Sequence, residues 1–214
     1  MNRTEIINNL ISKNNFKSYL EIGLDNPENN YIHISCETKH SVDPFFEKDH
    51  KNGCDLGIEN FEKAFKYLTY RMTSDEFFSQ CDRNYDIIFI DGLHIQEQCG
   101  RDIINSLKHL NPGGYIIVHD CIPESEETQC VPRTHYGTWN GDVWKCMPEL
   151  EKQNIEYNVV DCDYGCGIIN YKENSENLHY LEKSKYKWND FIENKEKLMH
   201  LISEEDFLKR YILN

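Results

Sequence analysis

Three short apolar runs constrain the fold of this chain more than any other feature. They are Ser18-Tyr19-Leu20-Glu21-Ile22-Gly23-Leu24, Asp86-Ile87-Ile88-Phe89-Ile90 and Tyr115-Ile116-Ile117-Val118. All are rich in β-branched or aromatic residues and too short for a stable helix, so they read as buried strands. Each stops at a turn signal: Gly23, Asp91-Gly92 and His119-Asp120. Residues 96–110 separate the second run from the third. There Ile103, Ile104 and Leu107 recur at helical spacing, and Asn111-Pro112-Gly113-Gly114 ends the pattern. Buried strands alternating with amphipathic helices through short turns specify an α/β fold around a mostly parallel sheet.

The flanking segments continue the alternation. Residues 3–13 read as a first helix carrying Ile6, Ile7, Leu10 and Ile11. Asp25-Asn26-Pro27 offers an N-cap and a first-turn proline. A second strand over residues 39–42 ends at Asp43-Pro44, followed by an irregular loop over 45–57 containing Gly53 and Gly57. Residues 67–70 read as a short third strand, and Thr73 or Ser74 caps the next helix. Further on come a helix near 143–153, a strand at 157–160 and a last strand at 167–169. Residues 1–171 are read as one domain, and 172–214, charged and helical in pattern, as an extension of it. Phe191, Leu198, Leu201 and Ile202 in that tail either pack on the domain or pair with another copy.

Composition excludes several function classes. The chain has 214 residues with 23 Lys+Arg against 37 Asp+Glu, a balance of −14. That excess counts against nucleic acid, whose binders carry basic stripes. Hydrophobic residues at 39% and aromatics at 12% supply a core and argue against a disordered chain. No run approaches the ~18 apolar residues of a membrane span. The start, Met1-Asn2-Arg3-Thr4-Glu5, lacks the apolar stretch of a signal peptide. Nine cysteines without a C-x-x-C pattern then read as reduced thiols in a cytoplasmic protein, not as a disulfide framework or a zinc site.

Acidic residues recur where strands end: Glu21, Asp43, Asp75, Asp91 and Asp120. Taken singly, each is explained as a turn former or helix cap. Five along one edge point to a ligand site, because open α/β sheets bind ligands outside the carboxyl ends of their strands. A carboxylate closing the second strand is placed to accept both hydroxyls of a ribose.

These residues carry a resemblance. Tyr19-Leu20-Glu21-Ile22-Gly23 resembles the first motif of class I S-adenosylmethionine-dependent methyltransferases, and Ser41-Val42-Asp43-Pro44 resembles their ribose-binding strand end. Phe89-Ile90-Asp91-Gly92-Leu93-His94, Asn111-Pro112-Gly113-Gly114, Val118-His119-Asp120-Cys121 and Gly137-Thr138-Trp139-Asn140-Gly141-Asp142-Val143-Trp144-Lys145 resemble a subfamily that modifies glycans and small molecules. The resemblance spans about residues 17–170. It implies a Rossmann-like, doubly wound sheet of seven strands with the last antiparallel.

The resemblance also implies roles. Gly23 would let the backbone approach S-adenosylmethionine, with Glu21 near the methionine end and Asp91 beside the same site. Asp43 would hold the ribose, and Ser74 and Asp75 would lie beside the adenine. The chain departs from the family after Gly23, reading Leu24-Asp25-Asn26-Pro27-Glu28 where further glycines are common. A helix N-terminus there still offers free N–H groups to a carboxylate.

Catechol-type O-methyltransferases carry a metal-binding Asp at the end of the strand that Asp91 closes, with a lysine base three residues on. Here His94 occupies the base position. An imidazole, with a reference pKa near ~6.5, serves as a base without the large shift a lysine needs. The same comparison implies that Asp91 and Asp120 can hold Mg²⁺, although the third ligand position is Cys121, a poor ligand for that ion. Without metal, Asp91 would orient His94 and Asp120 would bind the acceptor hydroxyl. His119 is a competing base. Strand alternation sends His119 and Asp120 to opposite faces unless the strand has already ended.

The long connection over 123–145 brings Arg133, His135, Tyr136 and Trp139, residue types that stack on and hydrogen-bond a sugar. Trp144 reads as packing. Asp161, Asp163 and Tyr164 are further candidates for lining an acceptor pocket. The reading that follows is an O-methyltransferase acting on a hydroxyl of a small polar acceptor, a sugar first. Two alternatives stay open: methylation of a non-sugar small molecule, and a catalytically degenerate binding module on the same fold. A nicotinamide or nucleotide-sugar enzyme is disfavoured by the missing G-x-G-x-x-G.

Overall fold

The computed structural model describes residues 1–44, 65–170 and 178–213. The loop expected over 45–57, with Gly53 and Gly57, lies outside them.

Helix α1 (Arg3–Asn14) opens on a capping box: the Asn2 side chain accepts from the Glu5 N–H, and the Glu5 carboxylate accepts from the Asn2 N–H. Strands β1 (Ser18–Ile22) and β2 (Thr38–Val42) follow, joined through two short 3₁₀ turns. Asn26 caps the first of these turns ahead of Pro27. Helix α2 (Ser74–Gln80) is capped by Thr73, again in a reciprocal box, here with Glu76. Then come β3 (Tyr85–Ile90), α3 (Gln96–Lys108) and β4 (Leu110–Val118). A 3₁₀ turn over Val143–Lys145 leads into α4 (Cys146–Glu151), β5 (Tyr157–Val160) and β6 (Cys166–Asn170). The tail supplies α5 (Trp188–Leu198), β7 (Leu201–Ile202) and α6 (Glu204–Phe207).

Among the described residues the sheet has seven strands in the order β2-β1-β3-β4-β6-β5-β7. Strand β6 pairs antiparallel with both β4 and β5, and every other pairing is parallel. The expected seven-stranded, doubly wound sheet is present, with one change in its make-up. The run at 67–70 contributes only a single bridge, Tyr70 beside Val42, and the seventh strand comes from the tail. Strand β4 also begins earlier than expected, because Asn111-Pro112-Gly113-Gly114 is taken up as an irregularity in its register with β3.

Alternation assigns the core. Tyr19, Ile87, Phe89 and Ile117 face one layer with Ile6, Ile7, Leu10 and Phe207. Leu20, Ile22, Ile88, Ile90 and Ile116 face the other with Ile103, Leu107, Trp144 and Phe191. Because β1 sends the chain first to β2 and later to β3 on its other side, a crevice forms at the carboxyl ends of β1 and β3.

Candidate functional site

The crevice is built by close backbone approach. The Asp91 N–H donates to the Ile22 carbonyl at 2.8 Å and the Gly23 N–H to the Val42 carbonyl at 2.9 Å. Gly23 has φ +90°, and a Cβ there would lie 2.1 Å from the Asp91 carbonyl oxygen, so only glycine fits. Asp43 turns its carboxylate onto the loop after β1 and accepts from the Leu24 N–H at 2.9 Å.

Glu21 shares the Tyr19 face of β1 and is buried. It accepts from the Tyr19 hydroxyl and, at 2.9 Å, from the Asn30 amide. Burial pushes its pKa up to about 8 against the lowering effect of those bonds, with the Asp91 charge adding to the rise. Glu21 is therefore mostly protonated at neutral pH.

Asp91, His94 and Asp120 converge, each offering a ligand-type atom within 4.8 Å of the others. His94 Nε2 faces Asp91 Oδ1 at 3.3 Å, and Nδ1 lies 2.6 Å from the Trp139 carbonyl oxygen and 3.3 Å from Asp120 Oδ2. The imidazole stacks on the Trp139 ring at 5.5 Å. Burial alone would lower its pKa; the Asp91 hydrogen bond and the Asp120 and Asp91 charges outweigh that and raise it to about 9.

His119 joins the same cluster, with Nδ1 at 3.4 Å from Asp91 Oδ1 and 3.3 Å from Asp120 Oδ2. Alternation fails here because β4 ends at Val118 and Asp120 adopts φ 61°, which swings its carboxylate to the His119 side. The two histidines differ in access: the His119 side chain is 3% exposed and that of His94 23%. Asp91 is opposed by burial, yet His119 and His94 hold its carboxyl well below the usual range.

The connection before α4 closes over this cluster. Asn140 is buried and donates to Asp120 Oδ1 at 2.6 Å. A Cβ on Gly141 would lie 1.7 Å from the His94 carbonyl oxygen. Asp142 accepts from the Gln96 N–H at 2.7 Å and so caps α3 from outside the helix. Arg133 lies over the Trp139 ring at 5.8 Å and donates to the His135 carbonyl at 3.0 Å. His135 Nε2 lies 2.8 Å from the Thr138 carbonyl, and Tyr136 is 89% exposed. Trp144 is fully buried against Phe191, as expected of packing.

Residues 18–121 match a family model described as a methyltransferase domain. That segment is a methyltransferase domain of the class I S-adenosylmethionine-dependent kind. Comparison with curated proteins gives no match. Solved structures share the methyltransferase fold at low identity. An O-methyltransferase from Bacillus cereus in complex with SAH is 15% identical, covers 80% of this chain and 82% of its own, and has a TM-score of 0.52. The SAH-bound methyltransferase of Podospora anserina is 16% identical over 77% of this chain and 76% of its own, with a TM-score of 0.55. A Streptomyces achromogenes O-methyltransferase in complex with SAM is 11% identical over 78% of each chain, with a TM-score of 0.52.

Within this methyltransferase Ser74, Asp75 and Asp161 fall outside the cluster, whereas Asp163 and Tyr164 border it at His119. Ser74 and Asp75 occupy the first turn of α2 and are tied to α3: Ser74 Oγ accepts from Gln98 at 3.1 Å, and Asp75 accepts from Arg101 at 3.2 Å. Asp161 pairs its N–H with the Ile202 carbonyl, and Tyr164 sets its ring edge against His119 at 6.2 Å. Asp163 is bound by Arg3, a residue with no mark in the sequence: Arg3 Nε donates to Asp163 at 2.9 Å, and Nη1 donates to Asp91 Oδ2 at 3.0 Å.

The donor set does not fit Mg²⁺. That ion takes near-octahedral oxygen ligands and keeps several waters. Here Asp91 Oδ2 takes Arg3, Asp91 Oδ1 and Asp120 Oδ2 face both histidines, and Asp120 Oδ1 takes Asn140. Cys121 is buried, and its thiol points back to the Val118 carbonyl at 3.4 Å.

Proposed function

We propose that this methyltransferase acts on a hydroxyl of a small polar acceptor, with His94 as the base. The observation that carries this reading is the setting of the imidazole. The Trp139 carbonyl takes the Nδ1 proton and the Asp91 carboxylate takes the Nε2 proton, so the partly exposed imidazole becomes a base at Nε2 once that proton is given up. Asp91 then steadies the imidazolium that forms, while Asp120, held by Asn140, is the candidate partner of the acceptor hydroxyl. Bound S-adenosylmethionine supplies an electrophilic methyl on a cationic sulfonium. In this reading Gly23 allows its close approach, Glu21 lies by the methionine end, and Asp43 takes the ribose, with Ser74 and Asp75 beside the adenine. The O-methyltransferase neighbours with SAH or SAM bound support this assignment of cofactor and reaction.

A sugar, free, nucleotide-linked or in a glycan, is the favoured acceptor. Support comes from the Arg133–Trp139 stack and from the exposed Tyr136 in the same connection, residue types suited to the ring C–H faces and hydroxyls of a sugar. Calorimetric titration of S-adenosylmethionine into the pure protein tests the cofactor; no binding at millimolar concentration overturns the reading. His94→Ala should keep that binding and lose transfer to a hexose and nucleotide-sugar panel followed by mass spectrometry, and transfer at an unchanged rate excludes His94 as the base.

A further inference from the structure

The first turn of α1 carries a cation into the strand-end cluster. Arg3 donates to Asp163 Oδ2 from both its backbone N–H and Nε at 2.9 Å, and from Nη2 to Asp163 Oδ1 at 3.3 Å. Its remaining arm, Nη1, reaches Asp91 Oδ2 at 3.0 Å. The side chain is only 20% exposed, so this is not one of the screened surface pairs that contribute little.

Both ends of this contact are fixed. Asp163 stands in the turn between β5 and β6, where Asp163, Tyr164 and Gly165 have successive φ values of 46°, 61° and 86°. The next residue of α1, Thr4, donates to Asn30 Oδ1 at 2.8 Å, and Asn30 in turn holds Glu21 and Tyr19. The helix therefore cannot turn about its axis without breaking a second, buried set of hydrogen bonds.

The division of Asp91 between its partners has a chemical consequence. Arg3 occupies Oδ2, and Oδ1 is left to face His94 Nε2. We propose that Arg3 is a positioning residue for methyl transfer, a resident cation that clamps Asp91 against His94 and removes any need for a divalent metal at the Asp91–Asp120 pair. The proposal rests on His94 being the base. A planar fork bridging two carboxylates gives a fixed geometry that a hydrated ion does not, and lysine reproduces its charge without the fork.

The test uses the full chain without cofactor or acceptor and two spectroscopic readouts. His94 is faced by Asp91 from its own turn, Asp120 from the end of β4 and Asp25 from the loop after β1, with Arg3 and His119 on the far side of Asp91. Removing the guanidinium leaves Asp91 to the histidines alone. In ¹⁵N-histidine spectra, Arg3→Ala and Arg3→Gln should therefore both move the His94 titration midpoint to higher pH. Arg3→Lys should return it toward the wild type. The glutamine variant keeps the side-chain stem and serves if the alanine variant does not fold. Paramagnetic resonance with Mn²⁺ alone should find no ion held at Asp91 in the wild type. Unchanged His94 signals in the folded variants overturn the proposal, as does one Mn²⁺ bound per wild-type chain and lost in Asp91→Asn. Failure of S-adenosylmethionine to bind would instead overturn the functional reading, which these two measurements do not use.

Discussion

Glu21→Gln isolates the cost of a buried carboxyl at the cofactor edge. In the folded protein Glu21 has a pKa of about 8 against an ordinary value of 4.5. An acid whose pKa rises on folding favours the native state fully below its unfolded pKa. That contribution is lost as pH climbs through the folded pKa, because the unfolded chain has given up a proton that the native state still holds. The loss is about 1.4 kcal/mol per pH unit. Between pH 4.5 and 8 it sums to about 5 kcal/mol. For a chain of this size 1 kcal/mol corresponds to about 2–4 °C in Tm, so one pH unit within that window should cost about 3–6 °C. Glutamine does not titrate. The melting temperature of the variant minus that of the wild type should therefore grow steadily from pH 5 to pH 8, whatever offset the lost proton donor introduces at the acid end. Ionisable groups common to both proteins drop out of the difference. Differential scanning fluorimetry across that range provides the measurement. Parallel curves would show that Glu21 is already ionised, and its pairing with Tyr19 and Asn30 would then have to outweigh burial.

Two further outcomes follow from the geometry. Because the base must be neutral and the Asp91 and Asp120 charges hold its pKa at about 9, kcat/KM should keep rising with pH up to that value. A plateau from pH 7 in the pH–rate profile would mean that the carboxylates do not govern His94. Gly23→Ala places a Cβ 2.1 Å from a backbone oxygen at a positive φ, and neither side can yield cheaply. A loss of about 3 kcal/mol or more in urea unfolding is expected, together with loss of cofactor binding; near-wild-type stability would refute the close approach of β1 to β3.

The parts of this fold visible in the sequence are those set by local pattern. Strands β1, β3 and β4 announce themselves through β-branched runs closed by Gly or Asp, and the pairing of Asp91 with His94 is a three-residue spacing across a turn. What escaped depends on contacts far apart in the chain. Arg3 looks like any polar residue at a helix start, and its partners lie 88 and 160 positions away. Asp142 caps a helix that begins 46 residues earlier. Strand β7 has two residues, too few to show a period, and the aromatic run at 67–70 has the composition of a strand but pairs only through Tyr70. The convergence of His119 with Asp120 was hidden for another reason. Alternation holds only while the backbone stays extended, and a left-handed aspartate is a conformation that composition does not mark.

The layer that joins α1 to the sheet has a consequence for biosynthesis. Ile6, Ile7 and Leu10 share their cluster with Phe207, which is made about 200 residues later. At a ribosomal pace of about 5–20 residues per second, the helix waits about 10–40 s for the partner that completes its burial. During that interval an apolar stripe is open on a nascent chain whose strand-end cluster at first also lacks Asp163. The strand-end cluster is thus supplied with Asp163 before the core layer beneath it closes on Phe207.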